Sequence, residues 1–337
     1  MSTPRRILLL SLALALWLFC TFALDVYDRA EEEKASREAV IKEISFRNIH
    51  QPYRILISPN SSQCSGKPKI LAIVLSTADG YEMRQTIRAT WASPKVSKTV
   101  EEGKIVVNFI ISQPKSQELM HKLLTENSTY DDLIVTDLPD EYDLLHLKVY
   151  ALLDFFRDNC LQADFVLKID QDVAVDVDRM LYYIEKDIYA NVLSISGLVW
   201  YDSKARRDPT DKWFVTEEEW GEFYYPKYCN GPFYLIGRSA AQRLLHHAKT
   251  THAFRFEDVL FTGIIARKAR VPRNKWDRHL IPFYAHSEEI PAACTEENGV
   301  QTPTIFGVHS FKETASFTDA FNRIRNLKCS GKKNKGD

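Results

Sequence analysis

Two carboxylates, Asp170 and Asp172, flank Gln171 directly behind the apolar run Phe165-Val166-Leu167-Lys168-Ile169. A run of that length and content reads as a buried strand. Acids at the carboxyl end of such a strand face the crevice where open α/β sheets bind ligands. The pair can hold a hard divalent cation whose oxygen shell a phosphate group completes. The spacing therefore suggests a metal-diphosphate site; the plainer alternative is a solvated turn. A second Asp-x-Asp, Asp176-Val177-Asp178, reads instead as a helix start with Asp176 as N-cap. A calcium loop over 170–181 fails, because Val175 stands where glycine is needed and Leu181 where the bidentate glutamate is needed.

Other residues offer chemistry of their own. Arg84 and Arg88 lie one helical turn apart and share a face. Paired guanidinium groups there could clamp phosphate or carboxylate bidentately, or the helix could simply bury Ile87 and Trp91. Glu257 and Asp258 precede the helical stretch Val259 to Lys268, and carboxylates at that end meet the helix dipole favourably. Trp200, Trp213, Trp220 and Tyr228 could offer apolar platforms to sugar faces, although aromatic side chains usually serve the core.

The elements that must position these groups follow from the texture of the chain. From Lys69 onward, β-rich apolar runs alternate with helical stretches: 70–75 then 82–91, 105–111 then 115–126, 133–135 then 143–160, and 165–169. That alternation reads as successive βαβ units building a parallel, Rossmann-type sheet with helices on both faces. Residues 25–68 read as a stem: 25–44 are charge-rich and suit a short solvated helix, and Pro52, Pro59 and Pro68 follow. Ahead of the stem, Ile7 to Leu24 is an uncharged apolar run of 18 residues preceded by Arg5 and Arg6. It is long enough to span a bilayer, and its basic flank places residues 1–6 in the cytoplasm. A cleaved signal peptide ending near Thr21-Phe22-Ala23 is the rival reading.

A secretory setting fits the sequons Asn60-Ser61-Ser62 and Asn127-Ser128-Thr129. Cys64, Cys160, Cys229, Cys294 and Cys329 lie beyond the anchor without any C-x-x-C pair. One or two disulfides and at least one free thiol are expected, with the pairing open. Formal net charge is -1, which implies no polyanionic partner, and no basic clustering in the folded part points to nucleic acid.

Four segments, in this order and spacing, resemble the β-1,3-glycosyltransferase family of β-1,3-galactosyltransferases and β-1,3-N-acetylglucosaminyltransferases. They are Arg84-Gln85-Thr86-Ile87-Arg88-Ala89-Thr90-Trp91, Lys168-Ile169-Asp170-Gln171-Asp172, Tyr225-Pro226-Lys227-Tyr228-Cys229-Asn230-Gly231 and Phe256-Glu257-Asp258-Val259. Leu147-Lys148, Lys212-Trp213 and Val308-His309-Ser310 add smaller matches, and the likeness covers roughly residues 69–325. It implies a type II Golgi enzyme with a GT-A fold: a catalytic domain over 69–329, a basic tail over 330–337, and inverting transfer from a UDP-sugar.

Under that resemblance Asp172, Asp170 and His309 would hold Mn²⁺ or Mg²⁺, with His286 competing for the imidazole place. Asp258 would be the general base. Arg84, Arg88, Lys148, Asp170 and Gln171 would serve the donor, and Trp213, Tyr228, Gly231 and Glu257 the acceptor side. Lys148 is otherwise an ordinary exposed lysine. Gln171 departs from the family's triple-Asp pattern, and Pro232 from its glycine-rich continuation. UDP-galactose is the first expected donor and UDP-N-acetylglucosamine the second. Rivals are a metal-dependent hydrolase or nuclease, and an inactive lumenal sugar-binding or chaperone-like relative.

Overall fold

A computed structural model of the protein describes residues 17, 19, 21, 40–187, 190–281, 290, 293–297 and 300–329. Its strands are β1 Val40–Ser45, β2 His50–Ile57, β3 Ile70–Ser76, β4 Ile105–Ile111, β5 Leu133–Thr136, β6 Phe165–Asp170, β7 Val173–Val175, β8 Ile195–Trp200, β9 Tyr228–Gly237, β10 Arg273–Lys275, β11 Leu280–Ile281, β12 Cys294–Glu297, β13 Val300–Pro303 and β14 Gly307–His309. The main helices are α1 Tyr81–Ala89, α2 Gln117–Tyr130, α3 Leu145–Asn159, α4 Val177–Lys186, α5 Arg238–Ala248 and α6 Thr314–Arg325.

A nine-stranded sheet runs in the order β1-β2-β5-β4-β3-β6-β9-β8-β10. Its centre, β5-β4-β3-β6, is parallel as the alternation of runs predicts. The sheet as a whole is mixed, which corrects the all-parallel expectation: β9 is antiparallel to β6 and β8, and β2 to β5 and β1. Side chains alternate across β3 with period two. Leu71, Ile73 and Leu75 pack towards α3 and α5, whereas Ile70, Ala72 and Val74 pack towards α1, α2, α4 and α6. The helices thus cover both faces, and the strand ends are left to form the crevice.

The stem is the second correction. Of the segment 25–44 expected as a solvated helix, residues 40–44 are strand and 25–39 lie outside the described residues; β1 pairs with β2 in full register at the sheet edge. Tyr53, Ile55 and Ile57 of β2 are buried, and Lys42 of β1 pairs with the nearly buried Asp154 at 3.2 Å. The Cys64–Cys160 disulfide ties the next segment to the end of α3; a second, Cys294–Cys329, ties β12 to the chain beyond α6. Cys229 is a buried free thiol. The folded unit therefore begins before residue 69. Among the described residues no helix is long and apolar enough to cross a membrane. The expected tail 1–6, the span 7–24 apart from Trp17, Phe19 and Thr21, His286, and the basic tail 330–337 lie outside the described residues.

Candidate active site

β3 and β6 lie side by side, with Leu75 paired to Asp170, so Ser76 and the Asp170-Gln171-Asp172 turn emerge together at one sheet edge. Several side chains fix this edge. The Ser76 hydroxyl donates to Gln171 Oε1 at 2.8 Å, and the Lys148 ammonium on α3 donates to the Ser76 carbonyl at 2.7 Å. Lys148 is buried, which overturns the exposed-lysine alternative; burial brings its pKa down to about 8, with Asp140 and Asp170 opposing the fall. Gly80, ahead of α1, leaves room here: a Cβ on it would stand 2.9 Å from Gln171 Oε1.

The arginine pair, expected to serve the donor or to scaffold the site, is engaged by protein groups. Arg84 is wholly buried and gives a bidentate pair to Glu126 at 2.8 and 2.6 Å, while its Nη1 donates to the Thr77 carbonyl at 2.6 Å. Arg88 grips Asp132 at 2.8 and 2.7 Å and stacks over Tyr130, 4.0 Å from the ring centre. Carboxylates from α2 and the loop after it therefore occupy both forks. Arg84 supports the strand end through Ser76 and Thr77, and Arg88 supports Arg84 through their shared Glu126.

The second face of the crevice is built on a bulge. Gly197 of β8 pairs with Tyr234 of β9 and Val199 with Cys229, so Leu198 alone stands opposite residues 230–233. Extra residues of this kind bend a strand and re-aim its groups. Pro232, lacking an N–H, lies just beyond the last β6–β9 pair, Ile169 with Phe233, where the ladder ends. The bulge turns the Gly231 carbonyl to Lys168 at 2.6 Å and brings the Gly231 backbone against the Asp258 carboxyl. A Cβ on Gly231 would stand 3.3 Å from both Asp258 Oδ2 and Glu257 Oε1, so glycine permits this close approach.

Lys168 is the residue the sequence reading overlooked. It is fully buried, and its ammonium reaches Asp170 Oδ1 at 2.6 Å and Glu257 Oε1 at 3.1 Å. Burial alone would lower its pKa, but Asp170 and Glu257 together hold it above the ordinary lysine range. A lysine at i and an acid at i+2 share one strand face, which is the signal that could have found it. Glu257 also accepts from the Tyr234 hydroxyl at 2.5 Å. Asp258 caps a π-helical stretch, Val259–Ile265, by accepting the Val259 N–H at 2.8 Å. Burial first, then the Glu257 carboxylate, pushes its pKa up to about 7. Tyr228 is buried beside it, and burial together with Asp258 holds its hydroxyl above the usual phenol range.

Asp172 and His309 meet across β7 and β14, where Val173 pairs with His309. His309 Nε2 is 3.3 Å from Asp172 Oδ2, and Asp172 Oδ1 is buried with no hydrogen-bond partner. A carboxylate oxygen left unsatisfied in the interior is costly, and an oxygen-plus-imidazole donor set suits Mn²⁺ or Mg²⁺. Ser310, next to His309, has φ 103, a strained value for a residue with a side chain. Among the described residues, no group of three His, Cys, Asp or Glu side chains is gathered to hold a cation. Asp170, expected to meet the metal either directly or through water and ribose, has its Oδ1 on Lys168 at 2.6 Å. One or two protein ligands are sufficient where substrate phosphates and water complete the shell of Mg²⁺.

The remaining expected residues lie further out. Trp213 is exposed at the rim. Asn60 is exposed and caps a 3₁₀ turn by accepting the Ser62 N–H. Asn127 sits in the last turn of α2 with Oδ1 accepting the Leu133 N–H at 3.1 Å. Asp176 caps α4 as the sequence predicts.

A family model described as galactosyltransferase matches residues 82–277. Beta-1,3-galactosyltransferase bre-2 of Caenorhabditis elegans is 28% identical over 292 residues, 85% of this chain and 77% of that protein. Beta-1,3-galactosyltransferase GALT1 of Arabidopsis thaliana is 32% identical over 188 residues, 55% of this chain but only 28% of that protein. A lactosylceramide 1,3-N-acetyl-beta-D-glucosaminyltransferase of Homo sapiens is 25% identical over 221 residues, 64% of this chain and 58% of that protein. A solved glycosyltransferase involved in glycosylation of the major capsid of PBCV-1 gives a TM-score of 0.40 at 11% identity, covering 76% of this chain and 99% of that one, a likeness too loose to argue from.

Proposed function

This chain belongs to the galactosyltransferase family and is a β-1,3-galactosyltransferase-like hexosyltransferase, and on that footing we propose that it transfers a hexose with inversion from a UDP-sugar to a sugar hydroxyl. The first donor is UDP-galactose; UDP-N-acetylglucosamine is second, favoured by the relative whose name carries that activity. The acceptor is a glycan of a glycoprotein, glycolipid or proteoglycan. A GT-A scaffold and a type II Golgi anchor over 7–24 complete the reading. The observation that carries it is Asp258, a carboxyl packed against the Gly231 backbone with its pKa pushed up to about 7, next in sequence to Glu257, which Lys168 ties to the Asp170 end of β6.

In that reading Asp258 Oδ accepts the proton of the acceptor hydroxyl as its oxygen attacks the anomeric carbon. The new C–O bond forms on the face opposite UDP, the bond from that carbon to the β-phosphate oxygen breaks, and UDP leaves with the electron pair. Asp172 and His309 would hold a divalent cation, which supplies neutralisation of charge developing on the diphosphate. Lys148, reaching the end of β3 from α3, and Asp170, at the end of β6, keep the donor crevice fixed. Gln171 and Pro232, the residues that favour an inactive relative, each have work compatible with turnover: one latches Ser76, the other ends the β9 ladder.

The proposal is tested by calorimetric titration of UDP into the protein with and without Mn²⁺. Mn²⁺ is expected to tighten UDP binding at least tenfold, and Asp172→Ala to abolish that gain while leaving the fold intact. Equal UDP affinity in wild type with and without Mn²⁺ would remove the metal from the account.

A further inference from the structure

Tyr142 and Trp213 are 51% and 44% exposed. They lie close enough to interact through their polar ends. The Lys212 ammonium stands 4.7 Å from the Tyr142 ring centre and 5.6 Å from that of Trp213. They come from separate segments, one before α3 and one from the long β8–β9 connection, so their meeting is a product of the fold. Arg255 pins both segments, reaching Asp143 at 3.1 Å and Glu219 at 3.3 Å. Arg255 is also on the short lead into Phe256-Glu257-Asp258. On the other side, Asp140 is 3.7 Å from Lys148, which holds the Ser76 carbonyl at the donor end. The aromatic pair thus forms a lip between the donor crevice and Asp258. Asp258, Glu257 and Asp170 all act electrostatically on the Tyr142 hydroxyl.

We infer that Tyr142 and Trp213 are the platform for the acceptor, taking the apolar C–H face of a terminal hexopyranose so that its hydroxyl points to Asp258. This rests on the transferase reading above. The occupant follows from position: whatever donates a hydroxyl to Asp258 must lie beside it, and Tyr142 and Trp213 are half-exposed aromatic rings on that side, each with Lys212 near it. Such rings give contact area at little entropic cost and anchor binding out of proportion to their number.

Steady-state kinetics with UDP-galactose and simple methyl β-hexopyranosides test it, alongside UDP affinity measured on the same preparations. Tyr142→Ala and Trp213→Ala are each expected to raise the acceptor KM by about tenfold, equivalent to about 1.4 kcal/mol, with kcat within about threefold. UDP affinity is expected to stay within about twofold of wild type. Tyr142→Phe, which keeps the ring, is expected to keep the acceptor KM near wild type. Acceptor KM unchanged in both alanine variants, with UDP still bound, would overturn the platform and leave the transferase reading standing. Failure of the wild type to bind UDP would overturn both.

Discussion

Asp258→Asn is expected to lower kcat by about 10²–10⁴, the usual contribution of a positioned general base, while UDP affinity stays within about twofold. Asparagine keeps an oxygen for the Val259 N–H, so the cap on the π-helical stretch survives and the loss reports on proton transfer. The wild-type pH profile makes the same point. Burial and Glu257 push the Asp258 pKa up to about 7. A base works only when deprotonated, so kcat/KM for the acceptor should fall by roughly tenfold per pH unit below that value. A flat profile from pH 5 to 8, or an Asp258→Asn variant with wild-type kcat, would assign the base elsewhere.

Lys168→Met is expected to damage stability and chemistry together. The ammonium is fully buried and bridges Asp170 and Glu257; removing one partner of a buried ion pair typically costs about 3–5 kcal/mol. What separates a role at the site from a purely structural one is the pH profile. Lys168 opposes the rise of the Asp258 pKa, whereas Glu257 drives it. In whatever fraction of Lys168→Met folds, the acid limb should move to higher pH. In Glu257→Gln it should move to lower pH. Opposite shifts cannot come from loosened packing, and unmoved limbs in both variants would reduce Lys168 to a structural pair.

Much of this was legible in the residues, and the failures have physical causes. The β6 run and its acids declare themselves because a buried strand needs uninterrupted apolar residues, and its end must face the crevice. His309 stands out only through the resemblance, and β14 brings it to Asp172. The partners of Arg84 and Arg88 were not legible because a helical spacing fixes a shared face without naming what meets it. Glu126 and Asp132 lie far along the chain and reach the pair only through tertiary packing. Residues 40–44 looked like solvated helix because an edge strand can carry charge on both faces: Glu43 is exposed, while Lys42 reaches the buried Asp154. Lys168 was hidden by its surroundings: inside an apolar run a lysine looks like an interruption, and its partners Gly231 and Glu257 come from other segments. Tyr142 lacked any local pattern and became visible only when three loops converged.

The most direct measurement is UDP release by the purified full-length protein in detergent, with Mn²⁺, across a panel of UDP-sugars and β-hexopyranoside acceptors, with product linkage read by NMR. Turnover with UDP-galactose to a β-1,3-linked product, lost in Asp258→Asn, is the expected result. Absence of binding to any UDP-sugar, or a product retaining the donor's α configuration, would contradict it.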